Sequence, residues 1–172
     1  LHREDVGMVY GRQVGDSRTK LAEERMLRRW FPSSGAGPHS EPFANNANSC
    51  VRRRLWEEHP FDEALSGLED IGFAMKVQNL EMKVWYSPEA VVVHVHEESW
   101  SQVQNRYFRE ALARKKLFPT QRLSKRQLVQ MALMNMGGDC MEALRTHRSP
   151  SIAIESIRFR YEQFMGAHLA EK

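Results

Sequence analysis

Cysteine is scarce in this sequence: Cys50 and Cys140 are the only two among 172 residues. They stand alone, and no Cys-X-X-Cys pair occurs, so the sequence contains no pattern for a disulfide framework or a zinc knuckle. Free cysteines without such a framework are typical of a reducing compartment. We therefore expect a cytoplasmic protein.

Long hydrophobic runs are also absent, and none comes near the roughly 20 residues that a membrane-spanning helix needs. The excess of one charge is small, because 25 basic residues are nearly balanced by 22 acidic ones to give a net charge of +3. Strong salt-dependent binding of nucleic acid usually needs more basic charge, so we expect no nucleic-acid partner. The 41% hydrophobic and 27% charged residues are ordinary for a folded globular protein.

The segment before Phe43 lacks any nucleotide-binding or metal-binding pattern, and the first residue is Leu1 instead of Met. We interpret the sequence as a fragment, although its length of 172 residues is enough for one domain with a core and a tail.

Alternating strand-like and helix-like segments predict an α/β fold. The apolar residues 6–13 predict a strand, and the spacing of apolar residues over 20–30 predicts a helix. Residues 32–42, rich in Pro, Gly and Ser, predict a loop that covers a site. The other predicted elements are a strand over 48–51, helices over 52–59, 71–80 and 100–118, and two short strands or one bent strand over 83–86 and 90–95.

The character of the sequence changes after residue 120, where only helical patterns follow. We predict a first domain over 1–120 and a helical tail over 121–172, with helices over 127–144 and 152–169. The tail is basic, so we expect it to contact the face of an anionic membrane or a partner subunit. Its basic residues include Arg122, Lys125, Arg126, Arg145, Arg148, Arg158 and Arg160.

Two adjacent carboxylates, Glu69 and Asp70, are the first candidates for chemistry. A carboxylate at the start of a helix can act as a general base that takes the proton from an attacking hydroxyl group. The same residue types also occur in first turns because they compensate the helix dipole. The residues alone leave both interpretations open.

His94 and His96 occur two residues apart in an apolar run. On a strand, residues at this spacing point to one face, and two imidazoles on one face can ligate a metal ion. No third ligand stands at a recognisable spacing, so a polar pair at the end of a strand is the alternative.

Amide and basic residues precede these motifs. Asn45, Asn46 and Asn48 could read hydroxyl groups, because an amide both donates and accepts hydrogen bonds, but turn formation explains the same residues. The triplet that begins at Arg52 could meet phosphates or form a solvated face of a helix.

Taken in order, these motifs resemble the C-terminal half of the family 2 glycosyltransferases, which are inverting enzymes with the GT-A fold. In that family an Asn-containing segment and an Arg-X-X-Trp turn are followed by Pro-Phe-Asp-Glu, by Glu-Asp, and by a Pro-X-Ala strand that ends in His. The resemblance covers roughly residues 5–118 and is strongest to the bacterial rhamnosyltransferase-like branch. The matching residues here are Asn46, Asn48, Trp56, residues 60–63, Glu69, Asp70, residues 88–90 and His94.

The resemblance implies a partial GT-A fold, the acceptor-side half, with a short mixed sheet, flanking helices and the helical tail. Asp70 matches the catalytic base, Glu69 its partner, and His94 the third position of a site for Mn²⁺ or Mg²⁺. An Asp-X-Asp motif completes that site in the family, and this sequence has none. The substrate side is expected to include Asn46, Asn48, Trp56, Arg52 and the 32–42 loop.

The implied function is inverting transfer of a sugar from a nucleotide-diphosphate sugar to a glycan or lipid-linked acceptor, in the synthesis of a surface glycan. We expect the divalent cation to need Asp ligands from a missing N-terminal half, and the protein to be cytoplasmic or peripheral at the inner face of a membrane. The alternative is a non-catalytic binding or regulatory module that retains only the acceptor-side half.

Overall fold

The computed structural model describes residues 3–121 and 124–171, so Arg122 of the predicted basic tail lies outside the described residues. Six α-helices and a four-stranded mixed sheet occur in these ranges, which confirms the predicted α/β class. The elements are β1 (Val6–Val14), α1 (Leu21–Trp30), β2 (Gly37–Pro38), a 3₁₀ turn (Asn46–Asn48), β3 (Ser49–Val51), α2 (Arg53–Glu58), α3 (Glu69–Asn79), β4 (Lys83–Val93), α4 (Trp100–Leu117), α5 (Lys125–Arg145) and α6 (Pro150–Ala170).

The chain divides into two compact units. The first comprises Leu1–Asp16 and Leu27–His94, and the second comprises Ser17–Met26 and Val95–Lys172. The second unit thus groups α4 with α5 and α6, whereas the predicted tail began at residue 121. The predicted domains, 1–120 and 121–172, remain a prediction.

The sheet of the first unit has the strand order β2-β4-β1-β3. The two central strands, β1 and β4, are parallel, and the short strands β2 and β3 pair with them in the antiparallel direction. The register between β1 and β4 shifts after Gly11, which pairs with Ser87, while Arg12 pairs with Val91. Of the two predicted alternatives for residues 83–95, one bent strand is confirmed, because β4 runs without a break from Lys83 to Val93.

Gly11 lies where this irregularity brings three chain segments together. A Cβ atom at this position would stand 2.3 Å from the Ala90 carbonyl oxygen and 2.3 Å from the Asn48 side-chain nitrogen. Only glycine permits so close an approach of backbone to its neighbours. The end of β1 is consequently held against the 3₁₀ turn and the bulged part of β4.

Aromatic rings fill the core of the first unit. Tyr10 on β1 is buried, and its ring centroid lies 5.0 Å from that of Tyr86 on β4 and 5.5 Å from that of Phe43. Phe73 and Val77 of α3 pack against the same core. The predicted helix over 71–80 ended at Leu80, whereas α3 ends at Asn79 and leaves Leu80 44% exposed.

Serine residues begin the long helices of the second unit. Ser99 and Gln102 form a reciprocal capping box at the start of α4, and Ser124 and Gln127 form another at the start of α5. Each box satisfies two backbone donors that the first turn of a helix leaves without a partner. The boundaries of α4, α5 and α6 agree with the sequence prediction within about two residues.

No helix in the described ranges combines the length and the apolar content that crossing a membrane requires.

Two glycines in this unit allow a matched test of packing. A Cβ atom on Gly166 of α6 would stand 2.3 Å from the Gln104 carbonyl oxygen of α4, whereas a Cβ atom on Gly137 of α5 would meet nothing within 4 Å. We expect Gly166→Ala to destabilise the protein by about 1–3 kcal/mol, because two helix backbones must separate. Gly137→Ala should stabilise it by about 0.5–1 kcal/mol, because alanine favours helix.

Chemical denaturation measures both free energies of unfolding. Equal effects of the two substitutions would contradict the close approach of α4 and α6 at Gly166.

Candidate functional site

Asp70 lies in the first turn of α3, and the residue before this helix has unusual backbone geometry. Leu68, the residue before the helix, has φ 58° and ψ 28°, which is the left-handed region. A non-glycine side chain there costs about 1–2 kcal/mol, and such strain concentrates at functional sites. The conformation starts α3 abruptly and fixes the direction of Glu69 and Asp70.

Backbone N–H groups hold both oxygens of the Asp70 carboxylate. Its Oδ2 accepts a hydrogen bond of 3.1 Å from the Asn46 N–H, and its Oδ1 accepts one of 2.8 Å from the Ile71 N–H. The first bond joins α3 to residues 45–48, which we name the Asn-rich turn, so the structure brings these two motifs together.

The pKa of the Asp70 carboxyl is raised above its ordinary value. Burial is the largest cause, because it penalises the charged form, and the neighbouring charge of Glu69 acts in the same direction. The two backbone N–H groups stabilise the carboxylate and oppose this change without cancelling it. A half-buried carboxylate with a raised pKa, held in a fixed orientation, is suited to general-base chemistry.

Gln13 lies next to the Asn-rich turn and is almost fully buried, with 1% of its surface exposed. Its side-chain nitrogen donates a 2.8 Å hydrogen bond to Oδ1 of Asn45, which also accepts from the N–H of Ala47. Its Oε1 and the Nε of Arg12 are buried and find no hydrogen-bond partner among the described residues. Buried polar atoms without partners are rare and indicate a place for a polar ligand or water.

Asn48 has a different environment from Asn46. The Asn48 side-chain nitrogen donates to the carbonyl oxygens of Arg12 at 3.2 Å and Ala90 at 2.7 Å, so it joins β1 to β4. Asn46 is exposed, and its Oδ1 accepts a 3.3 Å hydrogen bond from the Ser49 hydroxyl. Both residues were predicted to bind substrate. Asn48 instead joins two strands, whereas Asn46 has an accessible side chain.

Arg52 and Trp56 were predicted to bind substrate. The Arg52 guanidinium donates to the backbone carbonyls of Val6 and Arg3, at 3.0 and 2.7 Å, so these contacts turn it toward the start of β1. Trp56 on α2 is exposed over 43% of its surface. Among the described residues, neither side chain forms a hydrogen bond or ion pair with Asp70 or with the Asn-rich turn, and the two substrate roles remain predictions.

His94 and His96 do not share the face of a strand, which corrects the sequence expectation. The strand β4 ends at Val93, and the segment that follows has no regular structure. The backbone N–H of His94 still donates to the Val14 carbonyl oxygen at 2.8 Å. The boundary between the two compact units also falls here, with His94 in the first unit and His96 in the second.

The resemblance implies a divalent cation at His94, and the described residues do not form a site for it. Within residues 3–121 and 124–171, the one group of three potential ligands that converge is Glu23, His96 and Glu98. It excludes His94. The metal role of His94 therefore remains a prediction without a set of ligands in this part of the chain.

The two carboxylates of the Glu23, His96 and Glu98 group already pair with the guanidinium of Arg106. Arg106 donates to both oxygens of Glu98, the shorter distance being 2.7 Å, and to Glu23 at 3.1 Å. Burial by itself raises the pKa of Glu23, but the hydrogen bond from His96 and the charge of Arg106 outweigh it and lower the pKa. This is the arrangement of a half-buried ion-pair network, not of a free metal site.

Sequence reasoning missed Arg12 and Gln13 as site residues. Their one signal is position, because two long polar side chains close an otherwise apolar strand. That signal does not reveal that Gln13 is buried or that it meets Asn45, 32 residues further along the chain.

Comparisons of the chain with protein-family models, curated proteins and solved structures found no match. A function for this chain must therefore be inferred from the geometry of the site and from the motifs of the sequence.

Proposed function

We propose that this chain is the acceptor-side half of an inverting glycosyltransferase with a GT-A fold, in which Asp70 is the catalytic base. The observation that carries the proposal is the Asp70 carboxylate, which two backbone N–H groups hold at the strained start of α3. Its raised pKa brings it closer to neutral pH, where a base of this kind is most effective.

In the proposed reaction a hydroxyl group of the acceptor lies against Asp70, which takes its proton. The hydroxyl oxygen forms a bond to the anomeric carbon of the donor sugar as the bond from that carbon to the diphosphate breaks on the opposite face. The nucleoside diphosphate leaves with the electron pair, and the configuration at the anomeric carbon inverts. Glu69, the residue before Asp70, acts as its partner. It keeps a negative charge beside the carboxylate that accepts the proton.

The Asn-rich turn supplies groups for sugar recognition. The Oε1 of Gln13 and the Nε–H of Arg12 are buried, so in this proposal they reach a sugar hydroxyl through a bridging water and not directly. Asn46 adds an exposed amide on the turn whose backbone contacts Asp70. These groups support a glycan or lipid-linked acceptor with several hydroxyl groups.

The experiment uses the longest natural polypeptide that contains these 172 residues, with a panel of nucleotide-diphosphate sugars, glycan acceptors and Mn²⁺. We expect release of the nucleoside diphosphate that depends on the acceptor, with a product of inverted anomeric configuration in its NMR spectrum. Absence of release with every donor would contradict transferase activity. Thermal stabilisation by an acceptor glycan without release would identify the binding or regulatory module instead.

A further inference from the structure

One face of α5 exposes a row of apolar side chains, which we name the α5 strip. Each of its members has between 51% and 78% of its surface exposed. Isolated apolar residues on a surface are normal, but a contiguous row marks a contact site. The α5 strip consists of Val129, Leu133, Met134, Met141 and Leu144.

Charge is absent along the strip and present at its ends. Residues 127–138 contain no acidic or basic side chain. The exposed cations Lys125 and Arg126 stand at the start of the helix, and Arg145 stands at its end. At 3.6 residues per turn, Arg126, Leu133 and Leu144 project within about 20° of one another around the helix axis. Arg126 therefore lies on the same face of α5 as the strip.

The three terminal cations have no hydrogen bond or ion pair with another described residue. The two acidic residues of α5 do not face the strip. Asp139 is fully buried beside Arg160, and Glu142 is half-buried on another side of the helix. The strip therefore presents apolar surface with uncompensated positive charge and no negative charge.

The neighbouring helix α6 also exposes apolar side chains. Ile154, Ile157 and Tyr161 of α6 are exposed at spacings of three and four residues, which places them on one face. Tyr161 combines an apolar ring with a polar hydroxyl, as residues at a membrane interface do. α6 packs on α5 within the second unit.

We propose that the α5 strip docks on an anionic lipid surface, with its apolar side chains among the acyl chains and the terminal cations on headgroup phosphates. Apolar contact and attraction to anionic lipid together hold such helices parallel to a membrane. A second copy of the chain fits the strip less well. Antiparallel pairing of two α5 helices would place Arg126 against Arg145, and parallel pairing would place each cation against its own copy.

Flotation with lipid vesicles tests the proposal. The 172-residue chain is mixed with vesicles of phosphatidylcholine alone or with phosphatidylglycerol added, and the bound fraction is measured at low and high salt. We expect binding to the anionic vesicles that salt weakens. R126Q/R145Q should reduce partitioning about 30-fold, since each basic residue near an anionic surface contributes about fivefold. Leu133→Gln should reduce it about tenfold.

Matched controls stand on the other unit. R53Q/R54Q removes the same charge from exposed positions of α2, and Leu80→Gln removes an exposed leucine. Neither control should change flotation. Equal binding to uncharged vesicles, or wild-type binding by R126Q/R145Q, would overturn the proposal. So would a dimer in sedimentation equilibrium that Leu133→Gln dissociates while no vesicle binds the chain.

Discussion

Asp70→Asn is expected to lower glycosyl transfer by about 10²- to 10⁴-fold, because an amide cannot accept the proton of the attacking hydroxyl. The donor affinity should stay near normal, since the carboxylate contacts backbone N–H groups of its own chain and acts on the acceptor. Initial rates of release of the nucleoside diphosphate, with a separate measurement of donor binding, distinguish the two effects. Loss of both together would instead indicate a structural role.

A surface carboxylate provides the control. Glu58 on α2 is exposed and pairs with Arg54, so Glu58→Gln removes a negative charge without touching the proposed site. Transfer by this variant should equal that of the wild type. Transfer by Asp70→Asn at a near-native rate would remove Asp70 from the mechanism.

The raised pKa of Asp70 predicts opposite effects of pH on transfer and on stability. Transfer should increase as pH rises through this pKa, because the base must be ionised. The contribution of Asp70 to stability should decrease over the window from 3.8 up to its native pKa, because the native state binds the proton more tightly than the unfolded chain there. NMR titration of the carboxyl carbon measures the pKa directly, and a midpoint below 3.8 would contradict the burial of this group.

Local sequence patterns were sufficient to predict most elements of this fold. The strand β1 follows from an apolar run, and the helix α3 follows from helical spacing, because one buried face of a helix imposes a period on the side chains. The position of Asp70 in the first turn of α3 follows from the same reasoning. The hydrogen bond from Asn46 does not, because 24 residues separate the two and only the tertiary fold brings them together.

The failures of prediction have physical causes too. His94 and His96 were placed on one strand because the apolar run continues to Val95, yet ladder pairing ends with Val93 and Val14. Gln13 is signalled only by its position on an apolar strand, although it is buried against the Asn-rich turn. Strand ends and buried polar contacts are decided by pairing between distant segments, which the period of a single segment does not encode.

Asp139→Ala should destabilise the protein by about 3–5 kcal/mol, which is the largest effect on stability that we expect. Asp139 is fully buried and lies 2.7 Å from the Nε of Arg160, which is 3% exposed. Arg25 of α1 contacts the same carboxylate. Without Asp139 the Arg160 charge would stay buried with neutral acceptors, which are the Ala22 carbonyl oxygen, the Gln163 side chain and the Met26 sulfur.

Two further variants separate the ion pair from general damage to the core. Glu57→Ala breaks an exposed pair with Arg53 and should cost less than about 1 kcal/mol. The double variant Asp139→Leu with Arg160→Met replaces both charges by apolar groups, and its cost should be well below the sum of the two single changes. Urea denaturation of the wild type, Asp139→Leu, Arg160→Met and the double variant gives the coupling energy. Additive costs would show that the two charges do not stabilise each other, and that packing alone joins α5 to α6 at this position.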